Sequence, residues 1–366
     1  MISRDLFPFA LSMIISGIAF YYAFHSVPLA SLVAYYREIN MLSVFGASFV
    51  VAVSVFVRAL RWKYITHPHS RLTFFNAYHP LVIGLLANCV LPARVGELVR
   101  PFWHKAKNEA SFSGCLASLA VERFFDILTL LGFLAATFIF VDFGAAVPVI
   151  YRNIELSESL LWHLAAILFL VSIFLLAGFL LLGIKTVEHF LKRLISRISL
   201  FITKRMPMIG TYAGDQGSTL LTRLIDRATE GFSIVRSVTD SLICIGLSIL
   251  YWLLWTAGYY LLSRGSSSIN LTFIEATISM VVICFFISLP SIPGYWGLWE
   301  AGGIFSLSLF GFSPDQAAGI TLANHVIQML PICLAGIISV WVTGFNLSRI
   351  RSFAISSCSK EPRSQV

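Results

Sequence analysis

Between positions 88 and 126, six charged residues lie next to or inside apolar segments of this chain. Three of the six are basic, Arg94, Arg100 and Arg123, and three are acidic, Glu97, Glu122 and Asp126. A guanidinium binds phosphate through two parallel hydrogen bonds and stays charged away from water, so the arginines could hold an anionic lipid phosphate. The carboxylates could orient the arginines or contact a cationic or hydroxylated headgroup. A closed structural network of arginines and carboxylates remains an alternative.

A second set of polar residues lies nearer the C-terminus. Glu300 follows a proline- and glycine-rich segment, and Asn324 and Gln328 are four residues apart in the next apolar stretch. Since Glu300 has no cation near it in sequence, it is a candidate for a protonatable coupling group, with a local helix cap as the alternative. His325 could donate to a headgroup or simply be packed. The predicted substrate-binding residues are Asn88, Arg94, Glu97, Arg100, Glu122, Arg123, Asp126, Glu300, Asn324 and Gln328.

The composition predicts an integral membrane protein. Of 366 residues, 57% are hydrophobic and 12% charged, and the mean hydropathy is +0.83, far from the values of soluble domains. Stretches without Asp, Glu, Lys or Arg recur at 6–36, 39–57, 72–93, 159–184, 241–263, 276–299 and 316–348. A membrane-spanning helix needs roughly 20 residues. We therefore expect an all-α polytopic helical bundle with seven or eight crossings.

The net charge of +8 indicates orientation more than a nucleic-acid partner, because the basic residues gather beside apolar segments. We predict a retained first helix at 6–24 with a cytoplasmic N-terminus, and a short outer loop that holds Arg37 and Glu38. A second helix at 41–57 then leads to a cytoplasmic loop whose basic residues are Arg58, Arg61, Lys63 and Arg71. The six cysteines show no C-x-x-C spacing, so neither a disulfide framework nor a metal site is indicated. No cofactor is expected.

Two apolar segments are broken by proline and glycine. Irregular backbone at membrane depth is tolerated where it lines a cavity or is packed in protein, so we predict re-entrant hairpins at 74–100 and 290–312. The structural residues of these hairpins are Pro92, Gly96, Pro293, Gly294 and Gly297. Glycine there allows tight backbone and close helix approach. The two segments match in order, which predicts an internal repeat with its site at the repeat interface.

The domain prediction is a single transmembrane bundle over 1–348 and a basic tail over 349–366. The first half covers 1–159, a connecting helix 160–184, a cytoplasmic interfacial segment 185–240, and the second half 241–348. Glu122 lies about ten residues into a predicted helix at 112–141, which is roughly 15 Å along its axis and near the membrane midplane. The direction of the last helix is left open.

These motifs together resemble a flippase-like family built on the transmembrane region of lysylphosphatidylglycerol synthases. The resemblance lies in residues 88–100, 122–126 and 293–300 and in the polar helix that reaches Pro331. Two departures stand out: Tyr295 and Trp296 occur where the family often has a glycine, and Ala323 and Asn324 replace an expected Tyr-Arg pair, which removes a cation. No polar stretch is long enough for the aminoacyl-transfer domain of the fused synthases. The resemblance implies lipid translocation without lipid synthesis.

The function predicted from the sequence is a lipid flippase of the inner membrane. Its substrate would be an anionic phospholipid or a polyprenyl-phosphate-linked glycolipid, moved through a central polar cavity. Protons or cations and lipid-modifying enzymes are the expected partners, and catalysis is not expected. A polytopic enzyme that acts on a lipid headgroup, as a glycosyltransferase or phosphatase, is the first alternative. An assembly partner of other envelope proteins is the second.

Overall fold

A computed structural model describes residues 3–66, 72–107, 112–140, 149–151, 154–156, 158–182 and 238–345, with the isolated positions 193 and 197. The predicted interfacial segment 185–240 falls almost entirely outside these residues, and the predicted tail 349–366 falls wholly outside them. The architecture below concerns the described part of the chain.

Eleven α-helices make up nearly all of that part. They are α1 (Ser3–Phe24), α2 (Leu29–Glu38), α3 (Met41–Thr66), α4 (Phe74–Val90), α5 (Val99–Ala106), α6 (Phe112–Phe140), α7 (Glu158–Leu182), α8 (Val238–Arg264), α9 (Phe273–Ile287), α10 (Leu298–Ser308) and α11 (Pro314–Thr343). Two 3-10 segments, Pro92–Leu98 and Pro293–Tyr295, precede α5 and α10. A small antiparallel hairpin of β1 (Val149–Tyr151) and β2 (Ile154–Leu156) pairs Ile150 with Glu155. The predicted helical fold class is confirmed.

The protein is a multi-pass membrane protein. Three described helices are long and apolar enough to cross a bilayer, namely Met41–Thr66, Thr239–Arg264 and Pro314–Thr343. A fourth span arises if Ala10–Phe24 and Leu29–Glu38, bent by 76° at their junction, count as one. The seven or eight crossings and the re-entrant course of the two broken segments stay predictions.

Two of the predicted loops are wrong. Arg37 and Glu38 end α2 and do not lie in a loop. Helix α3 does not stop near position 57 but runs to Thr66, so Arg58, Arg61 and Lys63 are helical. The apolar face of α3 continues past the first arginine through Ala59, Trp62 and Ile65, all fully buried. Burial of that face favours the helix, and carboxylates on α6 neutralise the arginines.

The largest buried cluster lies between α3, α8, α9, α10 and α11, where α3 packs along α8 and α9 packs against α10. Helix α4 packs against α11. The outer surface is strongly apolar, with Leu42, Phe45, Phe49 and Trp341 each at least 70% exposed. Exposed apolar area on this scale is unusual for a soluble monomer. Hydrocarbon chains would solvate these side chains in a membrane.

Close backbone contact holds both broken segments in place. A Cβ atom on Gly96 would lie 2.0 Å from the carbonyl oxygen of Gly84 on α4. In the second segment Gly297 has φ 88°, and a Cβ atom there would lie 2.3 Å from the carbonyl oxygen of Ser16 on α1. Each segment thus packs against a neighbouring helix at a distance that only glycine permits.

Gly96→Ala should lower the midpoint of thermal unfolding in detergent, because its methyl group would collide with the backbone of α4. Overpacking of this kind costs about 1 to 3 kcal/mol. Gly246→Ala is the matched control, since nothing lies within 4 Å of a Cβ atom at that position in α8. Its midpoint should stay unchanged or rise slightly. Equal midpoints for the two variants would contradict the packing described here.

Candidate functional site

A buried ion network joins α3, α5 and α6. Glu122 of α6 is 1% exposed, and its Oε1 accepts hydrogen bonds from Arg58 Nε at 2.9 Å and Arg61 Nη2 at 3.2 Å. Its second carboxylate oxygen accepts a hydrogen bond from Arg100. Arg58 and Arg61 share a face of α3 because they are three residues apart. One carboxylate therefore holds three guanidinium groups from two other helices.

Asp126 extends this network one turn along α6. Its Oδ1 accepts hydrogen bonds from Arg61 Nη1 at 2.7 Å and from Trp252 Nε1 at 3.3 Å. Its Oδ2 accepts a longer hydrogen bond from Arg123 Nη1, at 3.4 Å. Arg61 Nη1 also donates to Ser248 Oγ at 2.8 Å. Helix α8 is thereby tied to the same charges through Trp252 and Ser248.

Arg123 links α6 to the first broken segment. Its Nη2 donates to Glu97 Oε1 at 2.9 Å, and the side chains of Arg123 and Glu97 are 41% and 26% exposed. Ion pairs with this much exposure contribute little to stability. The Arg123–Glu97 pair can therefore be opened by a competing ligand at much lower cost than the contacts of Glu122.

Arg94 has no carboxylate within salt-bridge distance among the described residues. Its guanidinium donates to the carbonyl oxygen of Ile287 at the end of α9 and lies 5.2 Å from the ring centroid of Tyr295. Arg94 and Tyr295 are the described non-glycine residues with positive φ, at 55° and 63°. Such backbone is uncommon outside glycine and often marks a functional site. The strained residues of the two broken segments thus meet each other.

A cavity of about 420 Å³ lies where these elements converge. Among the described residues its lining carries four arginines and two carboxylates, Arg58, Arg94, Arg100, Arg123, Glu97 and Asp126. The adjoining Arg61 and Glu122 carry opposite charges, so the positive charges of these described residues exceed the negative charges by two. Apolar lining residues, including Leu130, Val171 and Ile332, complete the wall. The site combines a cationic surface with an apolar one.

The second broken segment contributes a buried acid and histidine. His325 of α11 lies in the cavity wall, with its Nδ1 2.5 Å from Glu300 Oε1 and its Nε2 2.8 Å from the carbonyl oxygen of Gly294. The other oxygen of Glu300 accepts a hydrogen bond from the Gly297 amide at 2.7 Å. Both side chains are fully buried. Glu300 therefore caps α10 and contacts a histidine at the same time.

Unpaired amide oxygens occur beside this pair. Among the described residues, no hydrogen-bond partner is found for Asn88 Oδ1, Asn324 Oδ1 or Gln328 Oε1, although all three residues are at least 93% buried. A buried polar atom without a partner carries a free-energy cost, which water or a ligand can relieve. Asn88 and Gln328 belong to the cavity lining, and their unpaired oxygens are buried behind its surface.

Most of the predicted substrate-binding residues come together here. Those that line the cavity are Asn88, Arg94, Glu97, Arg100, Arg123, Asp126 and Gln328. The cavity lining does not include Glu122, Glu300 or Asn324. Glu122 lies behind the arginines and Glu300 lies behind His325. The Asn324 side chain contacts Met280 Sδ at 3.9 Å. In the described residues no group of three His, Cys, Asp or Glu side chains could hold a metal ion.

Arg58 and Arg61 were predicted to lie in a loop, and His325 was left open between a headgroup donor and a packed residue. The i, i+3 spacing of Arg58 and Arg61, in phase with buried Val55 and Trp62, was the available signal. Because Arg58 and Arg61 were assigned to a loop, this helical spacing was not recognised. The contact of His325 with Glu300 spans two helices, and no local pattern in the sequence reveals it.

Glu122→Gln should lower the thermal midpoint sharply, because three buried arginines would lose their shared anion. Breaking a buried ion pair from one side costs about 3 to 5 kcal/mol. Glu38→Gln is the control: Glu38 is exposed and accepts a hydrogen bond from Ser267, so a change within about 0.5 kcal/mol is expected. A Glu122→Gln protein as stable as wild type would show that the network does not hold the bundle together.

Comparison with known proteins places the chain among membrane proteins. An archaeal UPF0104 membrane protein from Methanocaldococcus jannaschii is 23% identical over 263 residues, which cover 72% of this chain and 96% of that protein. Glycosyltransferase AglD from Haloferax volcanii is 31% identical over 116 residues, which cover 28% of this chain and 18% of that protein. The chain thus matches less than a fifth of that enzyme. No solved structure matches the chain significantly.

The family model of the lysylphosphatidylglycerol synthase transmembrane region matches residues 9–336. This match spans every element that contributes to the cavity, from α1 through most of α11. It agrees with the resemblance found in the proline- and glycine-containing motifs and the charged helix. This chain therefore belongs to the family defined by the transmembrane region of lysylphosphatidylglycerol synthases.

Proposed function

We propose that this protein moves an anionic lipid headgroup between the two leaflets of the membrane, through the cavity between its broken segments. The observation that carries the proposal is the surplus of two positive charges around the cavity, together with an arginine, Arg94, that has no carboxylate partner among the described residues. Uncompensated charge at membrane depth is costly and marks a substrate pathway more often than a structural feature.

The walls of the cavity suit a headgroup with an attached chain. Arg94, Arg100 and Arg123 offer donors to a phosphate. Asn88 and Gln328 add amide side chains to the wall. Leu130, Val171 and Ile332 offer apolar area to the first part of an acyl or polyprenyl chain. An anionic phospholipid or a polyprenyl-phosphate-linked glycolipid fits this combination, and a small soluble anion would leave the apolar surface unused.

Arg94 would act as the switching residue. Its guanidinium donates to the Ile287 carbonyl oxygen. A phosphate is the stronger partner, because both groups are charged and two parallel hydrogen bonds can form. Transfer of Arg94 from the carbonyl to the phosphate would release α9 from the first broken segment. Ligand binding would in this way couple to relative movement of the two broken segments.

The proposal also covers the topology, the cellular location and the energy source of the protein. The broken segments would enter and leave the bilayer on one side as re-entrant hairpins of an internally repeated bundle with seven or eight crossings. The protein would reside in the inner membrane with its N-terminus in the cytoplasm. Translocation would be downhill, ion-coupled or driven by a partner such as a lipid-modifying enzyme, without catalysis by this chain.

An enzymatic role is the second candidate, because one relative is named a glycosyltransferase. That match covers 18% of the relative, so the shared part could serve a membrane function there as well. The two candidates differ in product: a translocator returns the lipid unchanged, and a transferase or phosphatase alters its headgroup.

Arg94→Gln should slow translocation of a fluorescent phosphatidylglycerol in proteoliposomes by about tenfold or more, since a charge-assisted hydrogen bond is worth about 1.5 to 3 kcal/mol. The measurement is the rate at which dithionite bleaches label that began in the inner leaflet. Arg264→Gln is the matched control, because Arg264 is exposed at the end of α8 and contacts Asn270. The control should translocate at the wild-type rate.

Three results would contradict the proposal. The first is no protein-dependent movement of anionic lipid in the wild type. The second is an Arg94→Gln rate equal to that of Arg264→Gln, which would remove the role of Arg94. The third is a labelled lipid recovered with an altered headgroup, which would favour the enzyme.

A further inference from the structure

The contacts of the buried pair of Glu300 and His325 need one proton more than a neutral histidine and an ionised glutamate carry. His325 Nε2 faces the Gly294 carbonyl oxygen and His325 Nδ1 faces Glu300 Oε1, at 2.8 and 2.5 Å. Both neighbours are acceptors unless the carboxyl group is protonated, whereas a neutral imidazole has one N–H. The two short contacts therefore require one extra proton, either on the imidazole or on the carboxyl oxygen.

The surroundings keep that proton site apart from the permanent ion pairs. Both side chains are fully buried, and the ring of Trp299 stacks on the His325 ring at 4.7 Å with 7° between the planes. Glu97 and Asp126 contact arginines. Glu300 instead contacts His325 and the Gly297 amide. Its charge is thus compensated by a removable proton and not by a guanidinium.

Other titratable and charged groups adjoin the pair. Tyr36 of α2 interacts electrostatically with Glu300. The neighbouring cavity wall carries Arg58 of α3, Cys89 of α4, Tyr251 of α8, Cys284 of α9 and Tyr295 of the second 3-10 segment. The first 3-10 segment and α6 add Arg94, Glu97, Arg123 and Asp126 to the same wall. The arginine surplus among these groups is the positive field that an anionic ligand would meet.

We propose that Glu300 and His325 form a proton-binding site in the cavity wall, and that one proton crosses the membrane with each anionic headgroup. This inference rests on the proposed function. With the proton bound, the pair is neutral and the cavity keeps its full surplus of two positive charges. When the proton leaves to cavity water, a carboxylate and a neutral imidazole remain, and the pair carries one negative charge. Anion and proton therefore bind cooperatively and leave together.

The pair also controls the backbone of the second broken segment. Gly294 accepts from His325 and Gly297 donates to Glu300, and Tyr295, between them, carries the ring beneath Arg94. Loss of the proton would leave one imidazole N–H for two acceptors, so a ring nitrogen lone pair would face either the Glu300 carboxylate at 2.5 Å or the Gly294 carbonyl oxygen at 2.8 Å. That repulsion would displace the segment against which Arg94 rests. Tyr295 thus connects the protonation state of the Glu300–His325 pair to Arg94 in the proposed anion site.

The test imposes a pH difference on wild-type proteoliposomes that carry fluorescent phosphatidylglycerol in both leaflets, with the membrane potential clamped by valinomycin and potassium. The label should accumulate in the leaflet that faces the alkaline side, by up to about tenfold for one pH unit with one proton per lipid. Glu300→Gln and His325→Gln should show no gradient-dependent asymmetry. The controls Glu275→Gln, which alters the equivalent capping residue of α9, and His163→Gln, at an exposed position in α7, should respond like wild type.

A second measurement uses only the wild-type protein, so it remains informative even if the Glu300→Gln protein does not fold. Pyranine inside wild-type proteoliposomes should report protein-dependent proton entry in bilayers that contain phosphatidylglycerol, and none in purely zwitterionic bilayers. Lipid exchange that ignores the pH gradient, or follows a sodium gradient instead, would overturn the proton site and leave the translocator intact. Absence of any lipid exchange in the wild type would overturn the translocator itself.

Discussion

The carboxylate of Glu122 is the constraint around which this membrane bundle is arranged. Three arginines from α3 and α5 converge on it, and none of these side chains is more than a tenth exposed. Removing four charges from water is expensive, and mutual contact is what makes their burial tolerable. The need to pair these charges fixes how α3 packs against α6. It also fixes how α5, the short helix after the first broken segment, packs against α3 and α6.

The same network explains why the cavity is positive. Glu122 and Asp126 offer two negative charges to Arg58, Arg61, Arg100 and Arg123, and Glu97 adds a third through an exposed pair. With Arg94, five arginines face three carboxylates, and Arg94 itself is held by a carbonyl oxygen and an aromatic ring. A neutral carbonyl is a weaker partner for a guanidinium than a phosphate is. The buried arginines around Glu122 therefore have carboxylate partners, whereas Arg94 in the cavity wall can gain an anionic partner when a ligand binds.

The sequence was informative where chemistry and spacing are local. Glu122 and Asp126 share a helix face because they are four residues apart, and 3-10 segments begin at Pro92 and Pro293, where breaks were predicted. Arg58 and Arg61 were misplaced because charge-based topology rules read a basic residue after an apolar run as a loop. Only the carboxylates on a distant helix make those arginines tolerable inside the bundle. The pairing of Glu300 with His325, and the meeting of Arg94 with Tyr295, depend on packing between elements that sequence spacing does not encode.

An experimental structure of the protein in nanodiscs that contain an anionic phospholipid, at a resolution that resolves the phosphate, would show how the cavity binds lipid. We expect a phosphate in the cavity with the Arg94 guanidinium bound to it and detached from the Ile287 carbonyl oxygen, and with Glu122 still bound to its three arginines. A cavity without lipid, in which Arg94 remains on Ile287 while anionic lipid binds only to the outer surface of the bundle, would contradict this expectation.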